Sequence, residues 1–254
     1  MDLKNRIILT FVKLKQNLSF SALAVLFGIT RQTCTNYFKN MIPLLALVLK
    51  TMIPWPDREM IRSNMPIAFK NFNTTRIIMD CAEIPIEKPH CVKCRILTYS
   101  NYKKRHTIKW NVALTPSGLI VHVSSSYGGR SFDKFIVIDS GILDKLDPYD
   151  AVMVDRGFLI ENECLQRHLI LIQPLFLKKK LQLSKAEALR IAEIAQARVH
   201  VERVIQRLRE FSFLSDEVPW NLITYFDEIL IIMAAIVNLS APVLNMTNIR
   251  KFIL

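Results

Sequence analysis

Two short apolar runs each end on an aspartate: Arg76-Ile77-Ile78-Met79-Asp80 and Ala151-Val152-Met153-Val154-Asp155. Brief runs of β-branched and other apolar residues suit buried strands. A carboxylate closing such a strand emerges at the rim of a sheet, where a cleft can form. The same reading gives strands over Ile77–Ala82, His106–Leu114, Leu119–Ser124, Ala151–Val154 and Leu169–Gln173. Helices are expected from Ser131 to about Leu146, with Ser131 as cap, and from Ser184 to Phe211. Two hairpin-type connections followed by alternating helices and strands predict a mixed α/β sheet with helices against it.

The amino-terminal part is of another character. Ile7, Ile8, Phe11, Val12 and Leu14 recur at helical spacing. A second helix fits Ser21–Phe27, with Ser21 as cap and Gly28 as its stop. A third starts after Thr30 and carries Arg31, Gln32, Thr35, Asn36 and Lys39 in its first turns. Helix, glycine turn and a helix that begins polar and basic is the helix-turn-helix pattern. Arg, Gln and Asn are side chains that pair with base edges in the major groove. An ordinary helical hairpin with a solvated face has the same spacing. Pro54-Trp55-Pro56 and the polar run 71–75 read as a linker. The expected division is a helix-turn-helix domain over residues 1–72 and a mixed α/β domain with a carboxy-terminal helix over 73–254.

Charge favours a polyanionic partner. The 254 residues hold 34 Lys and Arg against 22 Asp and Glu, a net +12. From Met1 to Arg76 there are eleven basic and three acidic residues, so +8 of the +12 lies in that part. Five cysteines, an odd number in a long chain, argue against a disulfide framework. No leader pattern is expected at Met1-Asp2-Leu3-Lys4. The most apolar stretch, Ile229–Val237, reads as a buried helix too short to span a bilayer. A reducing intracellular setting and no membrane are expected.

Asp80, Asp155 and Glu202 are the candidate metal ligands. Phosphodiester cleavage develops charge on the entering and leaving oxygens, and two divalent ions can stabilise both. Mg²⁺ takes hard oxygen ligands and keeps several waters, so few carboxylates suffice. Ile194, Val201, Ile205 and Leu208 cluster on one face of the long helix, and Glu202 falls about 100° from Val201, at the margin of that face. Arg198, one turn earlier on that flank, is a candidate partner for Glu202. A solvated glutamate in an i, i+4 pair fits the spacing equally well. Glu83 is a rival ligand that strand alternation places on the face opposite Asp80.

Other motifs are weaker. Cys91-Val92-Lys93-Cys94 is a lone C-x-x-C beside His90, short of the four ligands a structural zinc site normally needs. Its cysteines are expected reduced, in a loop. Tyr99, Tyr102, Lys103, Lys104, Arg105, His106 and Lys109 interleave aromatic and basic side chains that suit DNA contact. Lys178-Lys179-Lys180 is a basic run more often plain solvated surface. Gly128-Gly129-Arg130-Ser131 permits a tight turn before a helix whose amides could hold a phosphate. Asp133 complements that helix's dipole. His200 points away from Glu202.

Five motifs in order carry a family resemblance: residues 80–89 (Asp80-Cys81-Ala82-Glu83 onward), Tyr99-Ser100-Asn101-Tyr102-Lys103, Tyr127-Gly128-Gly129-Arg130-Ser131, Val154-Asp155-Arg156-Gly157-Phe158 and Ala197-Arg198-Val199-His200-Val201-Glu202-Arg203-Val204. Together they resemble the DDE transposases of the Harbinger type, in the broad group of DDE superfamily endonucleases. The resemblance covers about residues 15 to 243. It implies a ribonuclease-H-like mixed sheet with flanking helices, preceded by a small all-α helix-turn-helix domain. It implies Asp80, Asp155 and Glu202 as a triad binding Mg²⁺ or Mn²⁺. It implies double-stranded DNA as partner, a homo-oligomer on that DNA, and the nucleus as location. The implied chemistry is cut and paste: water attacks a phosphodiester at the element end, then the freed 3′-hydroxyl attacks target DNA. The chain departs from the pattern at Ala82, where relatives often carry Thr, and shows no Cys and His spacing of a THAP-type zinc finger before residue 80. Two other readings stand beside this one: a domesticated, catalytically silent DNA-binding protein, and a phosphodiesterase acting on RNA.

Overall fold

The computed structural model describes residues 1–174 and 184–240, without the side chain of His200. Lys178-Lys179-Lys180 lies outside the described residues. Three helices lead. Helix α1 (Leu3–Gln16) is capped by Asp2, whose side chain accepts from the Asn5 amide. Helix α2 (Phe20–Leu26) is capped by Ser19, not by the expected Ser21. Starting two residues earlier brings Phe20 edge-on to Phe38, ring centroids 5.5 Å apart. Gly28 then turns the chain at φ +62°, and Thr30 caps α3 (Arg31–Leu49) as the sequence predicts. The expected linker holds a further helix, α4 (Arg58–Ser63), because Asp57 caps it through the Met60 amide.

Strand β1 (Thr75–Pro85) follows, then α5 (Val92–Thr98), β2 (Tyr99–Ser100), β3 (Arg105–Leu114), β4 (Ile120–Val123) and β5 (Tyr127–Gly128). Helix α6 (Asp133–Asp139) is shorter than predicted. Phe132, not Ser131, precedes it, and Gly141 at φ +64° ends its path before a 3₁₀ turn over Ile142–Lys145. After β6 (Ala151–Met153), α7 (Glu161–Gln166) and β7 (Ile170–Ile172) comes α8 (Lys185–Arg209). Ser184 and Glu187 form a reciprocal capping box at its start. Helices α9 (Ser212–Ser215) and α10 (Phe226–Leu239) close the described chain.

The strands form one mixed sheet in the order β2-β3-β1-β6-β7, with β4 and β5 also pairing with β3. β3 runs antiparallel to β1, while β6 and β7 run parallel with it. Alternation along β1 separates two cores. Ile78, Ala82 and Ile84 face α8, α10 and the amino-terminal helices. Ile77 and Met79 face the layer built from α6, the 3₁₀ turn after it and α7. The first core is continuous from Leu9 and Phe38 to Met233 and Val237, so it crosses the expected boundary at residue 72.

Helix α10 lies at the centre of that core, with Phe226, Ile229 and Met233 fully buried. Together with the 3₁₀ turns before it, the stretch Trp220–Leu239 is 20 residues, long and apolar enough by composition to cross a membrane, and so longer than the sequence reading allowed. Near its end, the Asn238 amide bonds both the N–H and the C=O of Ile120 and donates to the Met52 carbonyl. One buried side chain thereby ties together β4, α10 and the end of the amino-terminal helices.

Candidate metal centre and DNA interface

The two aspartates reach one place by register. Ile78 of β1 pairs with Met153 of β6 in the parallel ladder, and both side chains lie in the core that faces α8. Asp80 and Asp155 are each two residues further along, and two residues of extended chain return to the same face. Extended pairing persists through Val154, whose amide donates to the Ile172 carbonyl at 3.0 Å. Asp80 does not close its strand as expected. β1 runs on to Pro85 while β6 has ended, so Asp80 borders the gap where β1 has lost that neighbour. Glu83 falls on the opposite face, where its carboxylate accepts from Thr107 Oγ1 at 2.6 Å.

Helix α8 supplies the facing wall. Ile194, Ala197, Val201, Val204, Ile205 and Leu208 bury one stripe against the sheet and α10. Arg198 and Glu202 sit beside Ala197 and Val201 on one flank. Arg198 does not turn to Glu202 as the spacing suggested. Its Nη1 donates to Asp155 Oδ1 at 2.8 Å. The pair was hidden from the sequence because it joins residues 43 apart, whereas helical spacing reports only neighbours on one helix. Glu202 is exposed, one turn further along.

Electrostatics link Asp80, Asp155 and Arg198. Burial pushes the Asp80 carboxyl up to about 6. The Arg198 guanidinium pulls it down, while the negative charges of Asp155 and Asp133 add to the rise. Asp133 was read as a helix-dipole residue. It also forms an ion pair with Lys109 at 3.0 Å on the other face of the sheet. Asp80 and Asp155 offer hard oxygen donors, and Mg²⁺ is held by one or two carboxylates with waters and substrate phosphates. The donor set fits such an ion, and Arg198 already occupies the place of a cation beside Asp155. Among the described residues no three carboxylate, imidazole or thiol groups converge on one point. Glu202 is therefore not gathered with the two aspartates. Ala82 is buried among core residues and pairs across the ladder with Trp110, so its side chain serves packing beside the centre.

The predicted DNA-facing residues fall in two groups. Arg31, Gln32 and Asn36 are exposed on the first turns of α3, with Gln32 Nε2 donating to Asn36 Oδ1 at 3.1 Å. Cys34 and Phe38 on its other side are buried. Lys39 is half-buried, its ammonium 5.7 Å from the Tyr225 ring centroid. Lys103, Lys104 and Arg105 form the exposed tip between β2 and β3. Since Val112 lies opposite Asp80 and Arg105 is seven residues away along β3, that tip is about 23 Å from the aspartate at about 3.3 Å per residue.

Two motifs mean something other than their sequence suggested. Gly128 and Gly129 answer to close packing, since a Cβ would stand 2.3 Å from the Leu97 carbonyl oxygen at the first and 1.8 Å from Thr107 Oγ1 at the second. Cys91 is the cap of α5, accepting from the Cys94 amide at 3.3 Å, so the pair opens a helix and is not in a loop.

Comparison with known families agrees with this architecture. The model of the DDE superfamily endonuclease matches residues 79–238, and that of the helix-turn-helix of DDE superfamily endonuclease matches residues 1–51. No curated protein shows significant similarity to the chain. With most of the chain matched, an α/β sheet flanked by helices and an amino-terminal helix-turn-helix ahead of it, the chain belongs to the DDE superfamily endonucleases.

Proposed function

We propose that this chain is a transposon-derived DNA endonuclease and strand transferase of the Harbinger type, using Asp80, Asp155 and Glu202 as metal ligands in two-metal catalysis. The observation that supports it most is the register that carries Asp80 and Asp155 to one face, opposite the flank of α8 that bears Arg198 and Glu202. When bound, Mg²⁺ or Mn²⁺ supplies charge stabilisation to the entering and leaving oxygens and eases deprotonation of the attacking water. Asp80 and Asp155 would hold the cation from the sheet, and Glu202, exposed on the flank of α8, would have to swing in to join them. Arg31, Gln32, Asn36 and Lys39 read and grip double-stranded DNA, with Gln32 and Asn36 suited to adenine edges. Lys103, Lys104 and Arg105 neutralise phosphates further along the duplex. Joining two element ends calls for a homo-oligomer on DNA, and a chromosomal substrate places the work in the nucleus.

Incubation with DNA bearing matching terminal repeats and Mg²⁺ or Mn²⁺ tests the reading. Wild type is expected to nick the repeat end, and Asp155→Ala to lose nicking. If wild type nicks no better than Asp155→Ala, the catalytic reading is wrong. Undiminished binding with no cleavage by either protein identifies a silent DNA-binding descendant instead, and cleavage of RNA but not DNA identifies an RNA phosphodiesterase.

A further inference from the structure

We propose that Arg198 is a resident counter-ion that competes with the divalent ion for Asp155, so that the chain itself occupies the ion-free centre. The inference rests on the metal-centre reading above. Three observations carry it. The guanidinium meets Asp155 Oδ1 at 2.8 Å, the distance of a charge-assisted hydrogen bond. The Arg198 side chain is only 11% exposed while that of Asp155 is 51% exposed, so the guanidinium is largely withdrawn from solvent while its partner carboxylate stays open to an incoming ion. Finally, Arg198 Nε is buried with no hydrogen-bond partner among the described residues, which leaves the guanidinium incompletely satisfied by them where it stands.

A guanidinium and a divalent cation repel, and both draw on the one Asp155 carboxylate, whose Oδ1 already accepts from Arg198 and from the Arg156 amide. Ion entry must therefore move Arg198 off Asp155. The displaced side chain has a spare N–H and a full charge, which suit a phosphate oxygen of the incoming DNA. Arg198 acts through Asp155 and is a positioning residue. It makes the ion-free protein self-neutralising and weakens metal binding until DNA can receive the guanidinium. Releasing one such bond is worth about tenfold in apparent ion affinity, the usual scale for a charge-assisted hydrogen bond set against a competing state.

The test is Mn²⁺ titration of the DNA-free protein, followed by the electron paramagnetic resonance of free Mn²⁺. Arg198→Gln is expected to bind Mn²⁺ about tenfold more tightly than wild type, and Arg198→Lys to fall between, because an ammonium lacks the fork that engages a carboxylate. A merely structural loss would weaken binding, so the direction is diagnostic. Equal or weaker affinity in Arg198→Gln overturns the inference. If Arg198→Gln does not fold, Arg198→Lys decides: tighter binding than wild type supports competition, and equal or weaker binding overturns it. Asp155→Asn sets the baseline. Wild-type binding no greater than that baseline sinks both the metal-centre reading and this inference. Wild-type binding above baseline with no gain in either Arg198 variant sinks the inference alone.

Discussion

Asp80 is held at about 6 because burial costs its charge more than Arg198 returns. Its folded pKa is raised above the unfolded value, so the folded state binds the proton more tightly. Stability therefore falls as pH rises from about 4 to about 6 and stays reduced above that. Without divalent ions, Asp80→Asn should melt higher than wild type at pH 8, on the order of 1–3 kcal/mol, with the gap closing towards pH 4. Thermal melts at the two pH values check it, and a variant less stable at pH 8 would contradict it. Asn238 should behave in the opposite way. Asn238→Ala strands the N–H and C=O of Ile120 and should destabilise by about 2–3 kcal/mol in urea unfolding. At this scale the two aspartates were legible because an apolar run ending in a carboxylate is a local signal. The partner of Arg198 was not, because nothing local in residues 155 and 198 records their meeting.

Among the elements, the long helix was the most readable. Its stripe of apolar residues and its capping box are written within it. Strand β1 was underestimated because the apolar run breaks at Asp80. Beyond it only every second residue is buried, Ala82 and Ile84, and the partner strand β3 carries the pairing on to Pro85. The short strand β5 was missed, since two residues show no periodicity, yet its glycine lies tight against the Leu97 backbone. Gly128→Ala should cost about 2 kcal/mol or more, since the Leu97 carbonyl cannot rotate away as a side chain would. Chemical denaturation measures it, and a neutral outcome would mean the α5–β5 contact is slack. On α3, Gln32→Ala and Asn36→Ala should each lower the preference for the cognate site over random DNA by tenfold or so, with the melting temperature unchanged. Competition binding tests this, and an equal loss on every sequence would demote both residues to general contacts.

At the scale of the molecule, the reading helices and the catalytic sheet share one interior. Phe38, Ile42 and Ala46 of α3 belong to the same core as Phe226, Ile229 and Met233 of α10. Composition and charge distinguish the basic leading part from the rest, but neither reports how the parts are packed. Removing residues 1–72 should thus leave a remainder that binds a hydrophobic dye and melts without cooperativity, not a folded nuclease lacking its DNA reader. Circular dichroism and dye fluorescence check this, and a sharp transition in the truncated chain would refute it. Point substitutions on the exposed side of α3 are the clean way to separate recognition from catalysis.

The shared interior also limits how such a protein can change its target. A reader joined by a tether can be exchanged whole between lineages. A reader whose buried side chains share the interior of the sheet cannot be traded without rebuilding that interior, so under the proposed function new specificity has to accumulate one side chain at a time on the exposed side of α3.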